Sequence, residues 1–336
     1  MDLRLSGEQR QLVDSFAAMY GQVSTSDRVR AAEPLGFDPQ LWTALTETGV
    51  VEMAVNESDG GWGASTLDLA LIAEQYGRAL ASAPVIEAQV AARTLAACGG
   101  AELLEAALTS DKLVTFAPRA YEGGLAELVP GGAVADVVVA LVGGRLVAVP
   151  TGDRIQVTNL GSLPLADIVI HEDVTVLAEA DEAIRLFSEA LDMWLVLTAA
   201  ALTGAAAKAV EIGVEYAKQR HAFGTPIGAF QAVSHPLADC ATAVDGSRLL
   251  AFQAACAFAD EPARATELAA MAFAFASQTA CDATQHSLHI HGGYGFGMEG
   301  DIQLYYRRVR GWAMVYGEPA VALDRVADAR YGAVAG

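Results

Sequence analysis

Cysteine and basic side chains are both scarce in this chain of 336 residues. Its 4 cysteines show no CxxC spacing and no clustered histidines beside them, so neither a zinc site nor a disulfide framework is indicated. The chain has 21 Lys and Arg residues against 41 Asp and Glu residues, a formal net charge of -20. Because that charge repels polyphosphate strands and anionic lipid, we expect neither nucleic acid nor a membrane as a partner.

An apolar signal core and a long apolar run are missing as well. The N-terminus opens with Asp2 and Arg4, and no run approaches the roughly 18 uninterrupted apolar residues that a membrane span requires. The cysteines are interpreted as buried thiols in a reducing compartment. We therefore expect a cytoplasmic protein that has no metal site, and the length allows two or three packed units.

Helix signals punctuate the first third of the chain. N-cap patterns precede apolar residues at helical spacing in three places: Ser6 with Gln9, Asp38 with Pro39, and Ser65 with Asp68. Gly49 stands where a helix C-cap belongs, and residues 60–63 form a glycine-rich loop. These signals predict an N-terminal helical domain over residues 1–111.

β-branched residues collect in short runs over residues 112–178. Residues 136–142 and 145–149 read as two strands joined by Gly143-Gly144, and glycine supplies the positive φ that a two-residue hairpin requires. Val157 and residues 168–170 are expected to add strands. The sequence therefore predicts a compact middle β domain.

The rest of the chain, residues 179–336, is alanine-rich and helical in pattern. Four long segments carry broad apolar faces: 182–219, 229–259, 262–290 and 300–315. Helices this apolar need neighbours on more than one side. A bundle buried against a second subunit is one interpretation, and a thick monomeric bundle is the other.

Two segments of this helical region carry the chemistry. In the first, Arg220 follows a helix, the chain breaks at glycine and proline, and Phe230-Gln231 opens the next helix. A guanidinium is favoured at a helix C-terminus, and its planar fork matches the oxygens of a phosphate. The alternative is that Arg220 caps its own helix or pairs with Glu215.

The second segment, residues 289–295, ends a long helix. It holds three glycines in four residues: Gly292, Gly293 and Gly295. Glycine lets backbone N–H groups approach an anionic ligand closely. The alternative is a C-cap followed by a turn. No strand precedes the segment, so it is not a Rossmann fingerprint.

Together the two segments resemble the acyl-CoA dehydrogenase family of flavoproteins. That family carries Arg-x-Gln-Phe-Gly-x-Pro-Ile followed by Phe-Gln, and then Gln-x-His-Gly-Gly-x-Gly, at the separation found here. Residues 5–9 and 60–63 extend the resemblance over nearly the whole chain. It implies an α+β fold of that family: an N-terminal helical domain, a small middle β domain and a C-terminal helical bundle.

The resemblance implies FAD as the cofactor. Arg220 would meet the FAD pyrophosphate, and Phe223 and Gln231 would surround the adenine portion. The backbone of the three glycines would line the opposite wall, with His289 where the family usually has glutamine. In this family these contacts cross a subunit interface, and burial in such an interface would explain the broad apolar faces of the long helices.

Some family features are missing from the sequence. The Thr-Glu-Pro-x-x-Gly-Ser-Asp and Trp-x-x-Thr segments, which hold the flavin ring and the thioester, have no acceptable match in the stretch that begins at Phe116. The β domain is also shortened. The chain is thus similar to the shortened subunit of heteromeric members of the family, and half of one flavin pocket is expected to be missing.

The glutamate base of the family has no clear counterpart. It removes the α-proton of the thioester, so it must sit beside the substrate in a dry pocket. Counting back from Arg220 reaches Trp194, and counting forward from Gly293 reaches Tyr316. Glu318 lies two residues beyond Tyr316 and is the candidate base; a solvated glutamate in a turn is the alternative.

These features support three hypotheses. The preferred one is a subunit of an FAD-dependent acyl-thioester dehydrogenase for α,β-desaturation, which supplies the Arg220 and Gly292-Gly293 side of an inter-subunit flavin pocket. The second is a complete homo-oligomeric acyl-CoA dehydrogenase that uses Glu318, and the third is a flavin-free scaffold. The expected partners are acyl-CoA or another acyl thioester, a further acyl-CoA dehydrogenase subunit, and an electron acceptor such as an electron-transfer flavoprotein.

Overall fold

A computed structural model describes residues 4–33 and 35–332; the predicted domain ends at 1–3 and 333–336 lie outside this range. The described chain begins with six α-helices: α1 Gly7–Val23, α2 Ser26–Ala32, α3 Pro39–Thr46, α4 Thr66–Arg78, α5 Val85–Ala97 and α6 Ala101–Leu108. Short 3₁₀ helices, Glu52–Ala54 and Glu57–Asp59, connect α3 to α4. The predicted helical character of the first third is confirmed.

The predicted N-caps start these helices. The Ser6 hydroxyl accepts from the Gln9 N–H at 3.1 Å, and the Gln9 side chain accepts from the Ser6 N–H at 3.1 Å, which completes a capping box for α1. The Asp38 carboxylate likewise accepts the N–H groups of the first turn of α3, with Pro39 as its first residue. Gly49 lies beyond the end of α3 with φ at 71°, so it closes the following turn rather than the helix itself.

Seven strands follow: β1 Val114–Tyr121, β2 Leu125–Val129, β3 Val137–Val142, β4 Arg145–Pro150, β5 Arg154–Gln156, β6 Ala166–Val169 and β7 Thr175–Ala178. They form two sheets, ordered β1-β3-β4-β7 and β2-β6-β5. The β3–β4 hairpin has the predicted Gly143-Gly144 turn, with φ of 54° and 75°. Val157, predicted to lie in a strand, falls just after β5, although its N–H still donates to the Leu165 carbonyl at 2.9 Å.

The last part of the chain is again helical: α7 Ala180–Gln219, α8 Gln231–Asp260, α9 Ala265–Ile290, α10 Ile302–Val315 and α11 Pro319–Tyr331. A short hairpin, β8 His221–Ala222 and β9 Thr225–Pro226, and the 3₁₀ turn Ile227–Ala229 lie between α7 and α8. The four predicted long helices are thus present, and α11 is a fifth. The fold class inferred from the sequence is confirmed.

Helix α7 is long and apolar enough, by length and composition, to cross a membrane. Its most apolar stretch is buried inside the protein, as in a core helix. Glycine lets α7 and α4 approach closely: a Cβ at Gly204 would collide with the Glu74 carbonyl, and one at Gly77 with the Ala201 carbonyl.

The chain divides into two compact units. One contains residues 1–26, 70–81 and 196–336, and the other contains residues 27–69 and 82–195, which include both larger sheets. The core of the two sheets is built from small and β-branched side chains such as Ala117, Val138, Val147 and Ile168. The domain boundaries after residues 111 and 178 stay a prediction.

Candidate functional site

The two motif segments follow the C-terminal ends of α7 and α9, which are neighbours within the unit that contains residues 196–336. The ring of Tyr216, in the last turn of α7, stacks on the ring of His291, which directly follows α9; their centroids are 4.0 Å apart. A Cβ added to Gly213 of α7 would lie 2.7 Å from the Ser287 hydroxyl and 3.1 Å from Leu237 of α8. The C-terminal ends of α7 and α9 and the start of α8 therefore pack together.

The turn after α7 holds an aromatic ring out in solvent. Phe223 and Gly224 have φ of 53° and 81°, the left-handed pair that closes the β8–β9 hairpin. A phenylalanine in this region is strained, because its Cβ crowds the following carbonyl. Phe223 is 98% exposed, and its ring lies edge-on to the Phe230 ring at a centroid distance of 6.2 Å.

Arg220 is exposed at the start of the same turn. Its backbone N–H continues the helical pattern by donating to the Tyr216 carbonyl at 2.9 Å, and its carbonyl accepts from the Ile227 N–H at 2.8 Å. Glu215, the alternative partner considered from the sequence, binds Lys218 instead at 2.7 Å. Within residues 4–33 and 35–332, the Arg220 guanidinium has no hydrogen bond or ion pair.

The glycine segment after α9 forms a 3₁₀ helix, Gly292–Phe296. A Cβ added to Gly292 or Gly293 would meet nothing within 4 Å, and Gly292 has φ at 59°. Backbone at these two positions is therefore open to a ligand. Gly295 is different because it is buried, and its Cβ would lie 2.7 Å from the Leu288 carbonyl and 2.9 Å from the His291 Cβ. Close packing alone accounts for glycine there.

The remaining motif residues are exposed around these two turns. Gln231 is the first residue of α8, and His289 lies in the last turn of α9. Large apolar side chains nearby in sequence also face solvent: Tyr294 at 57%, Phe296 at 69% and Met298 at 63%. The turns of both motifs thus present cationic, aromatic and bare backbone groups outward.

The candidate base Glu318 lies outside the two motif turns, directly before α11. It is the exposed N-cap residue of α11, followed by Pro319, and its side chain makes no capping hydrogen bond. Tyr316 is buried with its ring edge against the Phe273 ring. The role of Glu318 as a base stays a prediction.

Trp194, at the position counted back from Arg220, is 1% exposed and has the largest side chain among the fully buried residues that the structure describes. Its indole N–H donates to the Glu87 carboxylate of α5 at 3.1 Å. Burial raises the pKa of the half-buried Glu87, while a backbone hydrogen bond and the indole N–H act in the opposite direction. Sequence reasoning missed Glu87; its only signal was an acidic residue within the apolar run of residues 83–92.

The stretch that departs from the family motif folds back on itself. Residues 116–121 continue β1, and both Arg119 and Tyr121 donate side-chain hydrogen bonds to the Glu127 carbonyl, at 3.0 and 3.1 Å. Burial raises the pKa of Tyr121 to about 12. This segment is a strand and a turn in which Arg119 and Tyr121 share the Glu127 carbonyl, although the buried Nε of Arg119 has no hydrogen-bond partner among the described residues.

Comparison with protein families decides the identity. The family model "Acyl-CoA dehydrogenase, N-terminal domain" matches residues 6–110, and "Acyl-CoA dehydrogenase, C-terminal domain" matches residues 184–330. The chain belongs to the acyl-CoA dehydrogenase family. Members are oxidoreductases that act on the CH–CH bond of acyl-CoA, with FAD as cofactor, so the predicted enzyme class and cofactor are confirmed.

Similar proteins span the whole chain. It is 31% identical to "Acyl-CoA dehydrogenase IpdE2" of Mycolicibacterium smegmatis over 96% of its length and 98% of that protein. A chain of the ChsE4-ChsE5 complex from Mycobacterium tuberculosis superposes with a TM-score of 0.89 at 24% identity, with 100% of both chains covered. A chain of the Tcur3481-Tcur3483 steroid acyl-CoA dehydrogenase superposes with a TM-score of 0.86 at 25% identity, covering 96% of this chain and 97% of that one.

Proposed function

We propose that this chain is a subunit of an FAD-dependent acyl-thioester dehydrogenase that performs α,β-desaturation. In this proposal it supplies one wall of a flavin pocket whose other parts belong to a different chain. The observation that carries the proposal is the exposed Arg220 guanidinium, which has no partner among the described residues and lies one helical turn beyond the Tyr216–His291 stack. The same stack leads directly into the open backbone of Gly292 and Gly293.

These groups fit the diphosphate of FAD. A planar guanidinium can bind two phosphate oxygens at once, and bare glycine N–H groups can donate to the same anion. The chain has a formal net charge of -20, so an anion requires a local cationic site. Arg220 provides that site without giving up an existing ion pair. FAD, when bound, supplies the acceptor for the hydride that leaves the β-carbon of the substrate.

The exposed apolar groups support a shared site. Phe223 is 98% exposed in a strained backbone conformation, and Tyr294, Phe296 and Met298 are all more than half exposed. Large apolar side chains grouped on loops are typical of surfaces that a second molecule covers. Phe223 and Gln231 would then pack around the adenine, with His289 beside the pyrophosphate wall formed by Gly292 and Gly293.

Two features support a different chain as the source of the ring site and the base. The β1–β2 segment is a closed turn in which Arg119 and Tyr121 both bind the Glu127 carbonyl. The position of Trp194 holds a buried indole instead of a carboxylate. We therefore propose a hetero-oligomer in the cytoplasm, with acyl-CoA or another acyl thioester as substrate and an electron acceptor such as an electron-transfer flavoprotein.

A second candidate is a complete homo-oligomeric acyl-CoA dehydrogenase. It is favoured by one observation: the exposed Glu318 carboxylate makes no cap hydrogen bond at the start of α11 and is therefore available to another group. In this case Glu318 would accept the α-proton of the thioester.

Co-purification tests the proposal. The chain is expressed alone and together with the product of an adjacent dehydrogenase gene, and the visible spectrum and acyl-CoA oxidation are recorded. We expect a yellow, active protein only on co-expression. Flavin absorbance and turnover from the chain alone would favour the homo-oligomeric enzyme, and a colourless complex would favour a flavin-free scaffold.

A further inference from the structure

The C-terminal ends of α7 and α9 lie side by side and run in the same direction. A Cβ added to Gly213 of α7 would lie 2.7 Å from the Ser287 hydroxyl of α9. About one helical turn further along both segments, the rings of Tyr216 and His291 stack with centroids 4.0 Å apart and an interplanar angle of 23°. The two segments therefore advance in register toward their ends.

The next turn in this register contains the two groups of the proposed flavin wall, by which we mean Arg220 together with Gly292 and Gly293. The backbone N–H of Arg220 donates to the Tyr216 carbonyl at 2.9 Å, so Arg220 lies one turn beyond the Tyr216 ring. Gly292 directly follows His291 in the sequence. The stack of the two rings thus directly precedes both parts of the wall.

The His291 side chain is fixed on its side of the stack. The residue is 7% exposed, and its Nδ1 lies 2.6 Å from the Ser287 carbonyl oxygen. Because a carbonyl only accepts, Nδ1 carries the proton of the neutral ring, and Nε2 has none. The neutral imidazole therefore has no free N–H for an anion, so a contribution to phosphate binding must come through the backbone that it positions.

The glycine turn packs back on the same residue. A Cβ added to Gly295 would lie 2.9 Å from the His291 Cβ and 2.7 Å from the Leu288 carbonyl oxygen. Gly292 and Gly293 lie between these contacts and are open, since a Cβ at either position would meet nothing within 4 Å. The position of His291 therefore determines where this open backbone lies.

We infer that the Tyr216–His291 stack holds the Arg220 turn and the glycine turn at the separation that one diphosphate requires. Tyr216 and His291 are then positioning residues of the flavin wall. This inference rests on the proposed function, because the diphosphate is that of FAD. Groups that are already in place bind an anion more tightly than groups that must be ordered on binding, and the stack provides that order.

Hydrogen exchange of the full chain without flavin tests the positioning role. His291→Ala removes one ring of the stack, and His291→Phe is the matched control that keeps a ring but lacks the Nδ1 donor. We expect the hydrogen-bonded amides of residues 291–297 to exchange at least about 10-fold faster in His291→Ala, because the turn loses the ring that anchors it. In His291→Phe they should exchange within about threefold of wild type.

The FAD affinity of the reconstituted complex gives a second readout. We expect His291→Ala to bind FAD at least about 10-fold more weakly, because the two turns no longer hold their groups ready for the same diphosphate. His291→Phe should stay within about threefold of wild type. When His291→Ala is combined with Arg220→Ala, the weakening should be smaller than the product of the two separate fold-changes, because the stack acts partly through Arg220.

Circular dichroism and urea titration check that each variant folds. If His291→Ala does not fold, Tyr216→Leu replaces it, because it removes the other ring of the stack with a smaller loss of side-chain volume. The same increase in hydrogen exchange and the same loss of FAD affinity are expected.

Wild-type hydrogen exchange in a folded His291→Ala or Tyr216→Leu chain would overturn the inference. So would an unchanged FAD affinity, fold-changes that multiply in the double variant, or a His291→Phe variant as weak as His291→Ala. Failure of the flavin proposal would appear separately, as a wild-type complex that does not bind FAD, because the exchange measurements contain no flavin.

Discussion

Replacement of Arg220 by alanine measures how much the guanidinium contributes to FAD affinity. The guanidinium is exposed and makes no hydrogen bond or ion pair within the described residues, so its removal should leave the free energy of unfolding nearly unchanged. Hydrogen bonds to charged groups contribute about 1.5–3 kcal/mol, which corresponds to an FAD affinity about 10- to 150-fold weaker in the complex. The assay is the fluorescence change of FAD on its release from the reconstituted complex.

Lys218 provides a matched control. It is an exposed cation in the last turn of the same helix, but it is paired with Glu215 at 2.7 Å. Lys218→Ala removes the same unit of charge and should change FAD affinity by less than about twofold, because an exposed pair contributes little. Arg220→Lys keeps the charge but loses the planar fork, so its affinity should lie between wild type and Arg220→Ala. Equal FAD affinity in Arg220→Ala and Lys218→Ala would refute the assignment of Arg220.

Four further changes test other parts of the structure. Gly204→Ala should lower the free energy of unfolding by about 1–3 kcal/mol in urea titrations, because its Cβ meets the Glu74 carbonyl; an unchanged midpoint would contradict the close helix contact. Gly292→Ala should lower both the free energy of unfolding and the retention of FAD more than Gly293→Ala does, because Gly292 has φ at 59°, a conformation that favours glycine. Equal effects of the two variants would contradict the left-handed conformation at Gly292. Glu318→Gln should leave the turnover of the complex within about twofold of wild type, whereas loss of turnover in this variant would favour the homo-oligomeric enzyme. Burial raises the pKa of Glu87, so the native state favours the protonated carboxyl and the free energy of unfolding falls as the pH rises above about 4.5. Glu87→Gln should flatten this part of the plot of stability against pH. An unaltered plot would show that the pKa of Glu87 does not change on folding.

Local signals in the sequence were reliable where a short stretch determines its own structure. The Ser6–Gln9 capping box and the Gly143-Gly144 hairpin require only neighbouring residues, and both formed as predicted. Val157 lies just outside the strand predicted there, because β5 ends at Gln156. Its N–H donates to the Leu165 carbonyl and its carbonyl accepts from the Asn159 side chain, both in the loop before β6.

Contacts between distant parts of the chain could not be read from the sequence. The Trp194–Glu87 hydrogen bond joins residues 107 positions apart, and no periodicity indicates which acidic residue a buried indole will meet. The glycines of the second motif look equivalent in sequence, yet Gly292 is open while Gly295 is packed against Leu288. Only the folded positions of α7 and α9 separate a backbone available to a ligand from one required for packing.

The central claim concerns which chain holds which part of the flavin. A structure of the co-expressed complex with FAD bound tests it most directly. The account predicts the Arg220 guanidinium within about 3 Å of a pyrophosphate oxygen, with the flavin ring held by residues of the other subunit. A flavin held entirely by one chain, or a pyrophosphate remote from Arg220 and Gly292, would contradict it.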